Sequence, residues 1–159
     1  MKPVTVSDDV VAVVLAGGYG RRIRHVLHDR PKPMAQVAGR PFVEWVVRWL
    51  RRNGVRQVVL STGYRSDLIE AHFAASAIGD SRVGCVAEPF PMGTAGGFLN
   101  AVNGSGLSPS VWVVANGDSI VAAFEPVDPK GAELRREIGF GRFSEPEPGG
   151  IIHAGYRRP

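Results

Sequence analysis

The sequence predicts an α/β protein with a doubly wound, mostly parallel sheet and helices on both faces. Two observations carry this prediction. Val10–Ala16 is an unbroken apolar run rich in β-branched residues, which is typical of a strand buried on both faces. Further apolar runs then alternate along the chain with helix-like patterns, and this alternation is typical of parallel sheets.

The later elements follow in a regular order. Strands are predicted at 55–61, 82–87 and 111–115. Helices are predicted at 67–75, with Ser66 as its cap, and from Thr94 to about residue 102, with Thr94 as its cap. Ligands of such sheets bind at the carboxyl ends of the strands. The site is therefore expected in the loops at 17–32, 63–64, 88–94 and 116–119.

The clearest helix starts at Pro41, a residue that suits the first helical position. Glu44 lies near its positive end, and Gly54 is the predicted terminator. Its apolar residues recur with the helical period and form one stripe: Phe42, Trp45, Val46, Trp49 and Leu50. We expect the two tryptophans, Trp45 and Trp49, to pack in the core.

Length and composition predict one domain over residues 1–159, since 159 residues with 44% hydrophobic content suit a single core. The single cysteine, Cys85, excludes an intramolecular disulfide and is expected to pack in the core. The polar N-terminus lacks the apolar segment of a signal peptide, and no run is long enough to span a membrane. These features predict a soluble, cytoplasmic protein.

The net charge of +4 is modest, but its distribution is informative. Aromatic residues are not interleaved with the cations, which argues against binding of nucleic acid. A basic cluster that suits a triphosphate lies within a dozen residues, opposed only by Asp29: Arg21, Arg22, Arg24, Arg30 and Lys32.

A glycine-rich loop follows the first strand. Gly17, Gly18 and Gly20 leave the backbone N–H groups open to close approach by a phosphate or a base. No Gly-Lys-Ser/Thr follows, so the loop is not a P-loop. Ile23 stands where the dinucleotide fingerprint requires a third glycine, which weighs against an NAD(P)-binding oxidoreductase domain without excluding it.

Four motifs in order resemble the signatures of the sugar-phosphate nucleotidylyltransferases. Leu15-Ala-Gly-Gly-Tyr-Gly-Arg-Arg-Ile23, followed by Pro31-Lys-Pro33, is similar to the family's L-A-G-G-x-G-T-R-L and P-K-P. Gly39-Arg-Pro-Phe42 resembles its G-K-P helix entry. Glu88-Pro89 with 91–96 resembles its E-x-x-P-L-G-T-A-G loop, and Asn116-Gly-Asp118 its metal-bearing N-G-D. Within the family, Leu60-Ser-Thr-Gly-Tyr64 and the Arg24-containing loop most resemble the heptose 1-phosphate guanylyltransferases. The mannose-1-phosphate guanylyltransferases are the next most similar group.

The resemblance implies the Rossmann-like fold of nucleotide-diphospho-sugar transferases. It also implies transfer of a nucleotidyl group, GMP from GTP being favoured, to a heptose or mannose 1-phosphate with release of pyrophosphate. Arg22 would hold the β- and γ-phosphates, Lys32 would reach the α-phosphate, and Asp118 would bind Mg²⁺. The remaining nucleotide-binding residues that it implies are Leu15, Ala16, Gly17, Gly18, Gly20, Glu88, Gly93 and Thr94.

The resemblance covers residues 10 to about 120, the expected nucleotide-binding core, and weakens over 121–159, the expected shortened sugar side. There Pro146 and His153 stand where the family has lysine and asparagine, and no second metal carboxylate is evident. The fold is thus expected to be truncated at its C-terminal side. A non-catalytic or impaired nucleotide-binding relative therefore stays open beside the enzyme, and so does the oligomeric state, with a homodimer possible.

Several residues have simpler interpretations. Asp118 after Gly117 is also an ordinary turn residue, and the neighbouring motifs alone favour the metal role. The histidines show no metal-ligand spacing and are expected in loops or on the surface: His25, His28, His72 and His153.

Overall fold

A computed structural model describes residues 9–18, 20, 27 and 29–120, together with the backbone of 151–154. None of the described helices combines the length and apolar character needed to cross a membrane. The elements, in chain order, are β1 (Val10–Ala16), a short 3₁₀ helix (Lys32–Met34), β2 (Gln36–Val37), β3 (Arg40–Pro41), α1 (Phe42–Arg52), β4 (Gln57–Thr62), α2 (Ser66–Ala75), β5 (Arg82–Ala87), α3 (Gly93–Ser105), β6 (Val111–Asn116) and β7 (Ile151–Ala154).

The main sheet has the strand order β5-β4-β1-β6-β7, and every neighbouring pair in it is parallel. This confirms the predicted parallel sheet and its four predicted strands, although β4 starts at Gln57, two residues later than expected. Neither β7 nor the small antiparallel pair of β2 and β3 was predicted. Four-residue and two-residue strands carry too little hydrophobic pattern to be recognised.

The core lies on both faces of the sheet, because β1 is buried on both. Ala12 and Val14 contact the layer of α1 and α2, whereas Val11 and Val13 contact the layer of α3. On the α3 side, the rings of Phe98 and Trp112 meet edge to face with centroids 6.3 Å apart. Each fully buried valine contributes about 1.5–3 kcal/mol, so the period-2 alternation of β1 stabilises both layers at once.

The buried stripe of α1 differs from the predicted one. Its buried apolar residues are Val43, Val46, Val47 and Leu50. The expectation that Trp45 packs in the core is wrong, because it is only half-buried and its Nε1 donates to the Val37 carbonyl at 2.8 Å. Trp49 packs against the core while staying partly exposed.

Pro41 is the N-cap of α1 rather than its first residue, because it belongs to β3 and the Phe42 N–H donates to the Ala35 carbonyl. Gly54 does terminate the helix, with a φ of 88°.

The other predicted helix caps are also wrong. Ser66 is the first residue of α2, and the N-cap is Arg65 with a left-handed φ of 54°. Likewise α3 begins at Gly93, one residue before Thr94, with Met92 as N-cap, and it extends to Ser105 before Gly106. Neither N-cap side chain accepts a helix N–H. At α3 the carboxylate of Glu88, in the preceding loop, instead accepts the N–H of the N-cap residue Met92.

A buried carboxylate joins α1 to α2. Glu44 is 3% exposed, and its oxygens accept from Arg40 and Arg48 at 2.7 Å and lie 2.8 Å from His72 Nε2. Placing His72 at the surface or in a loop was therefore wrong: it lies in α2 and contacts Glu44. Burial acts to raise the pKa of Glu44, but the hydrogen bonds from Arg48, Arg40 and His72 outweigh it and hold the pKa below its ordinary value.

Replacing Glu44 with Gln is expected to lower the free energy of unfolding at pH 7 by about 1–3 kcal/mol, less than for a fully buried ion pair because the arginines stay partly hydrated. Because the pKa is depressed in the folded state, this stabilisation is full above the unfolded-state value and is lost as the pH falls through the folded-state pKa. Urea unfolding of both proteins between pH 7 and pH 3 measures the difference.

The matched control is Glu70→Gln, the same chemical change at an exposed position of α2, where a change within about 0.5 kcal/mol is expected. Equal effects of the two substitutions, or a Glu44→Gln difference that persists at low pH, would contradict the proposed role of the cluster.

Candidate active site

The loops that follow β1, β4 and β5 meet at the carboxyl edge of the sheet, where sequence patterns predict a site. They enclose an open cleft of about 130 Å³. The cleft draws on the glycine loop after β1, the 63–64 loop after β4 and the loop after β5, with the lining residues Gly17, Gly63, Tyr64, Glu88, Pro89, Phe90 and Pro91.

Glu88 is the anchored polar group of the cleft. Its backbone N–H donates to the Thr62 carbonyl at 2.6 Å, which continues the β4–β5 ladder. Its Oε1 lies 3.0 Å from the Ser61 hydroxyl, and its Oε2 accepts the Met92 N–H at 3.2 Å. The carboxylate thus sits at the N-terminus of α3, where the helix dipole favours negative charge.

Two glycines make room for this carboxylate. A Cβ on Gly17 would collide with Glu88 Oε1, and a Cβ on Gly97 would come within 2.7 Å of the same oxygen. A third, Gly63, lets its loop approach the backbone of Gly17, since a Cβ there would be 2.6 Å from the Gly17 carbonyl oxygen. Gly63 therefore requires glycine, because a Cβ there would meet backbone atoms, whereas a Cβ at Gly17 or Gly97 would displace the Glu88 carboxylate.

One strand further along the same edge, Lys32 and Asp118 form an ion pair between Nζ and Oδ2. Lys32 lies in the 3₁₀ helix between two prolines, and Asp118 follows β6. The Ser119 hydroxyl lies 3.2 Å from the other Asp118 oxygen. Partial burial acts to raise the pKa of Asp118, but the hydrogen bond and charge of Lys32 prevail and lower it. Both side chains keep about 40% exposure, 43% for Lys32 and 37% for Asp118, so a ligand can reach them.

Gly20 connects the glycine loop to the lysine. It has a left-handed φ of 57°, and a Cβ on it would lie 2.9 Å from the Lys32 Cβ. On the other side of the loop, the Gly117 N–H donates to the Leu15 carbonyl at 2.9 Å. Gly20 therefore packs against the segment that carries Lys32, and the end of β1 is bonded to the turn that carries Asp118.

The other predicted site residues are placed as follows. Leu15 is half-buried, Ala16 is buried and Gly18 is exposed at the end of β1, next to the cleft. Gly93 and Thr94 form the exposed first turn of α3 and do not line the cleft. Arg22 lies outside the described residues, as do Arg21 and Arg24.

The structure also identifies residues that the sequence patterns did not single out. Ser61 is fully buried, and its hydroxyl lies 3.0 Å from both Glu88 Oε1 and the Gly97 carbonyl. A hydroxyl group inside an otherwise apolar buried strand was the available signal for it. Phe90 and the loop residue Tyr64 line the cleft; the exposed aromatic Phe90 between two prolines was the other signal.

Comparison with known proteins identifies the family. Residues 12–127 match the family model of the MobA-like NTP transferase domain. The chain belongs to this family. Membership in this family argues against the alternative of an NAD(P)-binding oxidoreductase domain.

Named relatives are sugar-phosphate nucleotidyltransferases. The chain is 36% identical over 109 residues to a D-glycero-α-D-manno-heptose 1-phosphate guanylyltransferase of Aneurinibacillus thermoaerophilus, covering 69% of this chain and 46% of that protein. It is 33% identical over 136 residues to a mannose-1-phosphate guanylyltransferase of Mycobacterium tuberculosis, covering 86% and 35%. The crystal structure of HddC from Yersinia pseudotuberculosis complexed with GMP-PN superposes with a TM-score of 0.60 at 35% identity, covering 68% and 47%.

The chain spans less than half the length of these relatives. Family membership also does not select the base, because a uridylyltransferase and a CTP transferase are among the similar proteins. The comparisons therefore show the fold and the family. The nucleotide base, the sugar and the activity of this chain have to be argued from its own site.

Replacing Gly97 with Ala is expected to push the Glu88 carboxylate out of its place, because the new Cβ meets both Oε1 and, at 3.2 Å, the Ser61 hydroxyl oxygen. The change in unfolding free energy should stay within about 1 kcal/mol, because the carboxylate can move and alanine is favoured over glycine inside a helix. Hydrogen exchange at the Met92 amide should accelerate, since that N–H loses its acceptor.

Gly84→Ala is the matched control, because a Cβ at Gly84 meets nothing within 4 Å. Met92 exchange in Gly97→Ala as slow as in the control would show that Glu88 is not held as described.

Proposed function

We propose that this chain binds a nucleoside triphosphate along the carboxyl edge of its sheet and transfers the nucleotidyl group to a sugar 1-phosphate, releasing pyrophosphate. The observation that carries the proposal is the pairing of Lys32 with Asp118 beside the glycine loop, one strand away from the Glu88 cleft. In the proposed arrangement, residues 10–120 supply the nucleotide-binding core and 121–159 the sugar side.

The order of groups along the edge suits such a ligand. The cleft lies at the ends of β5, β4 and β1, and the charged pair lies where β1 meets β6. These are neighbouring strands about 4.8 Å apart, so base, ribose and phosphates can follow one another along the edge. The bare backbone of Gly17 and Gly18 would line the base, and Gly93 and Thr94 would contact base or ribose from the start of α3.

Guanine is the base that the cleft favours. A carboxylate only accepts hydrogen bonds, and its two oxygens offer about four acceptor positions, of which Ser61 and Met92 take up two at Glu88. Guanine presents two adjacent donors, N1–H and the N2 amino group, to such a pair of oxygens. Uracil presents one donor between carbonyl oxygens, which a carboxylate repels. We therefore propose GTP as the favoured nucleotide.

Asp118 and the phosphates of the proposed nucleotide also suit a magnesium ion. Mg²⁺ prefers hard oxygen ligands and is commonly held by one or two carboxylates together with substrate phosphates. Asp118 supplies one exposed carboxylate at the phosphate end, and no cluster of three metal-ligating groups occurs in the described part of the chain. A bound magnesium ion would neutralise charge on the phosphates and orient them.

In the proposed reaction, a phosphate oxygen of the sugar 1-phosphate attacks the α-phosphorus, and the bond from that phosphorus to the bridging oxygen of pyrophosphate breaks. Such transfers need positioning and charge neutralisation more than covalent chemistry. Lys32 leaves Asp118 to hold the α-phosphate, and Asp118 is then available to the metal. Arg22 is proposed to hold the β- and γ-phosphates. The acceptor is proposed to be a heptose or mannose 1-phosphate.

Pyrophosphate release with GTP, Mg²⁺ and a panel of sugar 1-phosphates tests this function. Lys32→Met and Asp118→Asn are each expected to slow turnover by about 10²–10³-fold, as for loss of one electrostatic stabiliser. The matched controls are Arg52→Met, at the C-terminus of α1, and Asp80→Asn, in the exposed turn before β5, and both should keep the wild-type rate.

A second candidate is a nucleotide-binding module without turnover, favoured by the single carboxylate found at the phosphate end in the described residues. Binding of GTP without pyrophosphate release from any sugar 1-phosphate would select it over the enzyme. Absence of binding to every nucleoside triphosphate would refute both.

A further inference from the structure

We propose that Phe90 is a specificity-determining residue whose ring forms a wall of the base position and stacks on a purine. The inference rests on the proposed function and extends it to a side chain that carries neither charge nor hydrogen bonds. Phe90 is 63% exposed, an unfavourable setting for a phenyl ring. The other large exposed hydrophobic residues of the described chain, Val37, Leu99 and Ile120, do not line the cleft, whereas Phe90 does.

The backbone around Phe90 is restrained before any ligand binds. Pro89 and Pro91 have fixed φ angles, and a residue that precedes proline is confined to extended conformations. On one side of this segment Glu88 is held by hydrogen bonds to Ser61 and Thr62 of β4. On the other side its carboxylate accepts the Met92 N–H, just before α3 begins at Gly93. Stacking on a ring whose place is set in advance loses little conformational entropy.

The rest of the cleft matches a flat ligand with donors on its edge. Gly17 and Gly63 contribute only backbone, so a planar group can lie against them. The Glu88 carboxylate lies in the same cleft and accepts hydrogen bonds from an edge. A purine has both properties, and its two fused rings cover more of a phenyl face than a pyrimidine does. Phe90 therefore favours a purine, and Glu88 favours guanine among the purines.

The test compares Phe90→Ala, Phe90→Trp and the wild type by calorimetric titration with GTP, UTP and inorganic tripolyphosphate. Aromatic stacking on one base predicts that Phe90→Ala weakens GTP binding by about 5- to 100-fold. UTP should lose less, tripolyphosphate should be unaffected, and Phe90→Trp should restore GTP affinity. Quenching of the added tryptophan fluorescence by GTP, measured against the wild-type signal, reports the stacking directly.

Leu99→Ala is the matched control, since it removes another large exposed apolar side chain, 56% exposed, that does not line the cleft. It should bind GTP as the wild type does. Wild-type GTP affinity in Phe90→Ala would overturn the inference, as would an equal loss for tripolyphosphate, and in either case the proposed function would stand because the wild type binds GTP. Loss of GTP and UTP affinity by the same factor would indicate that Phe90 contacts the ribose and not the base. That result would also overturn the proposal that Phe90 favours a purine. A wild type that binds none of these ligands would remove the proposed function as well.

Discussion

The parallel pairing of β1 with β4 on one side and with β6 on the other determines where every group discussed above lies. Val13 aligns with Val59 and with Val114, so the three strands end at the same level. Parallel strands of equal level bring their carboxyl ends to one edge. As a result, side chains as far apart in sequence as Lys32 and Asp118 meet there, and the loops after β4 and β5 lie beside the glycine loop. A shift of register by one residue would exchange the two faces of β1 and separate these groups.

Much of this arrangement could be predicted from the sequence. The run Val10–Ala16 has the predicted bounds, because burial on both faces leaves a continuous apolar signature. The edge strand Arg82–Ala87 also has its predicted bounds, although its residues are exposed or half-buried. Lys32, Glu88 and Asp118 were identified through motifs, and the predicted loops do converge. The sequence did not predict which way individual side chains point within their elements. Glu44 was interpreted by its position in the helix, whereas its burial depends on α2, which reaches it from 28 residues away.

The helix starts were missed for a related physical reason. Ser66 and Thr94 have the composition of caps, but the first helical N–H groups have other solutions here. At α2 the Ser66 N–H donates to the Gly63 carbonyl, and at α3 the carboxylate of Glu88 accepts the N–H of the N-cap residue Met92. A cap supplied from four residues upstream does not follow from local propensity. The same carboxylate was assigned to the ligand on motif grounds, so one residue serves both the helix and the cleft.

The hydroxyl of Ser61 lies within hydrogen-bond distance of two acceptors, Glu88 Oε1 and the Gly97 carbonyl, but it has a single proton. The hydroxyl thus donates to one of these oxygens at a time, while the Gly97 carbonyl also lies within α3, where a backbone N–H is its ordinary partner. A donor that binds at Glu88 allows the hydroxyl to turn to the Gly97 carbonyl while the carboxylate keeps a partner. Occupancy of the Glu88 cleft is therefore coupled to the orientation of a hydroxyl proton inside the sheet.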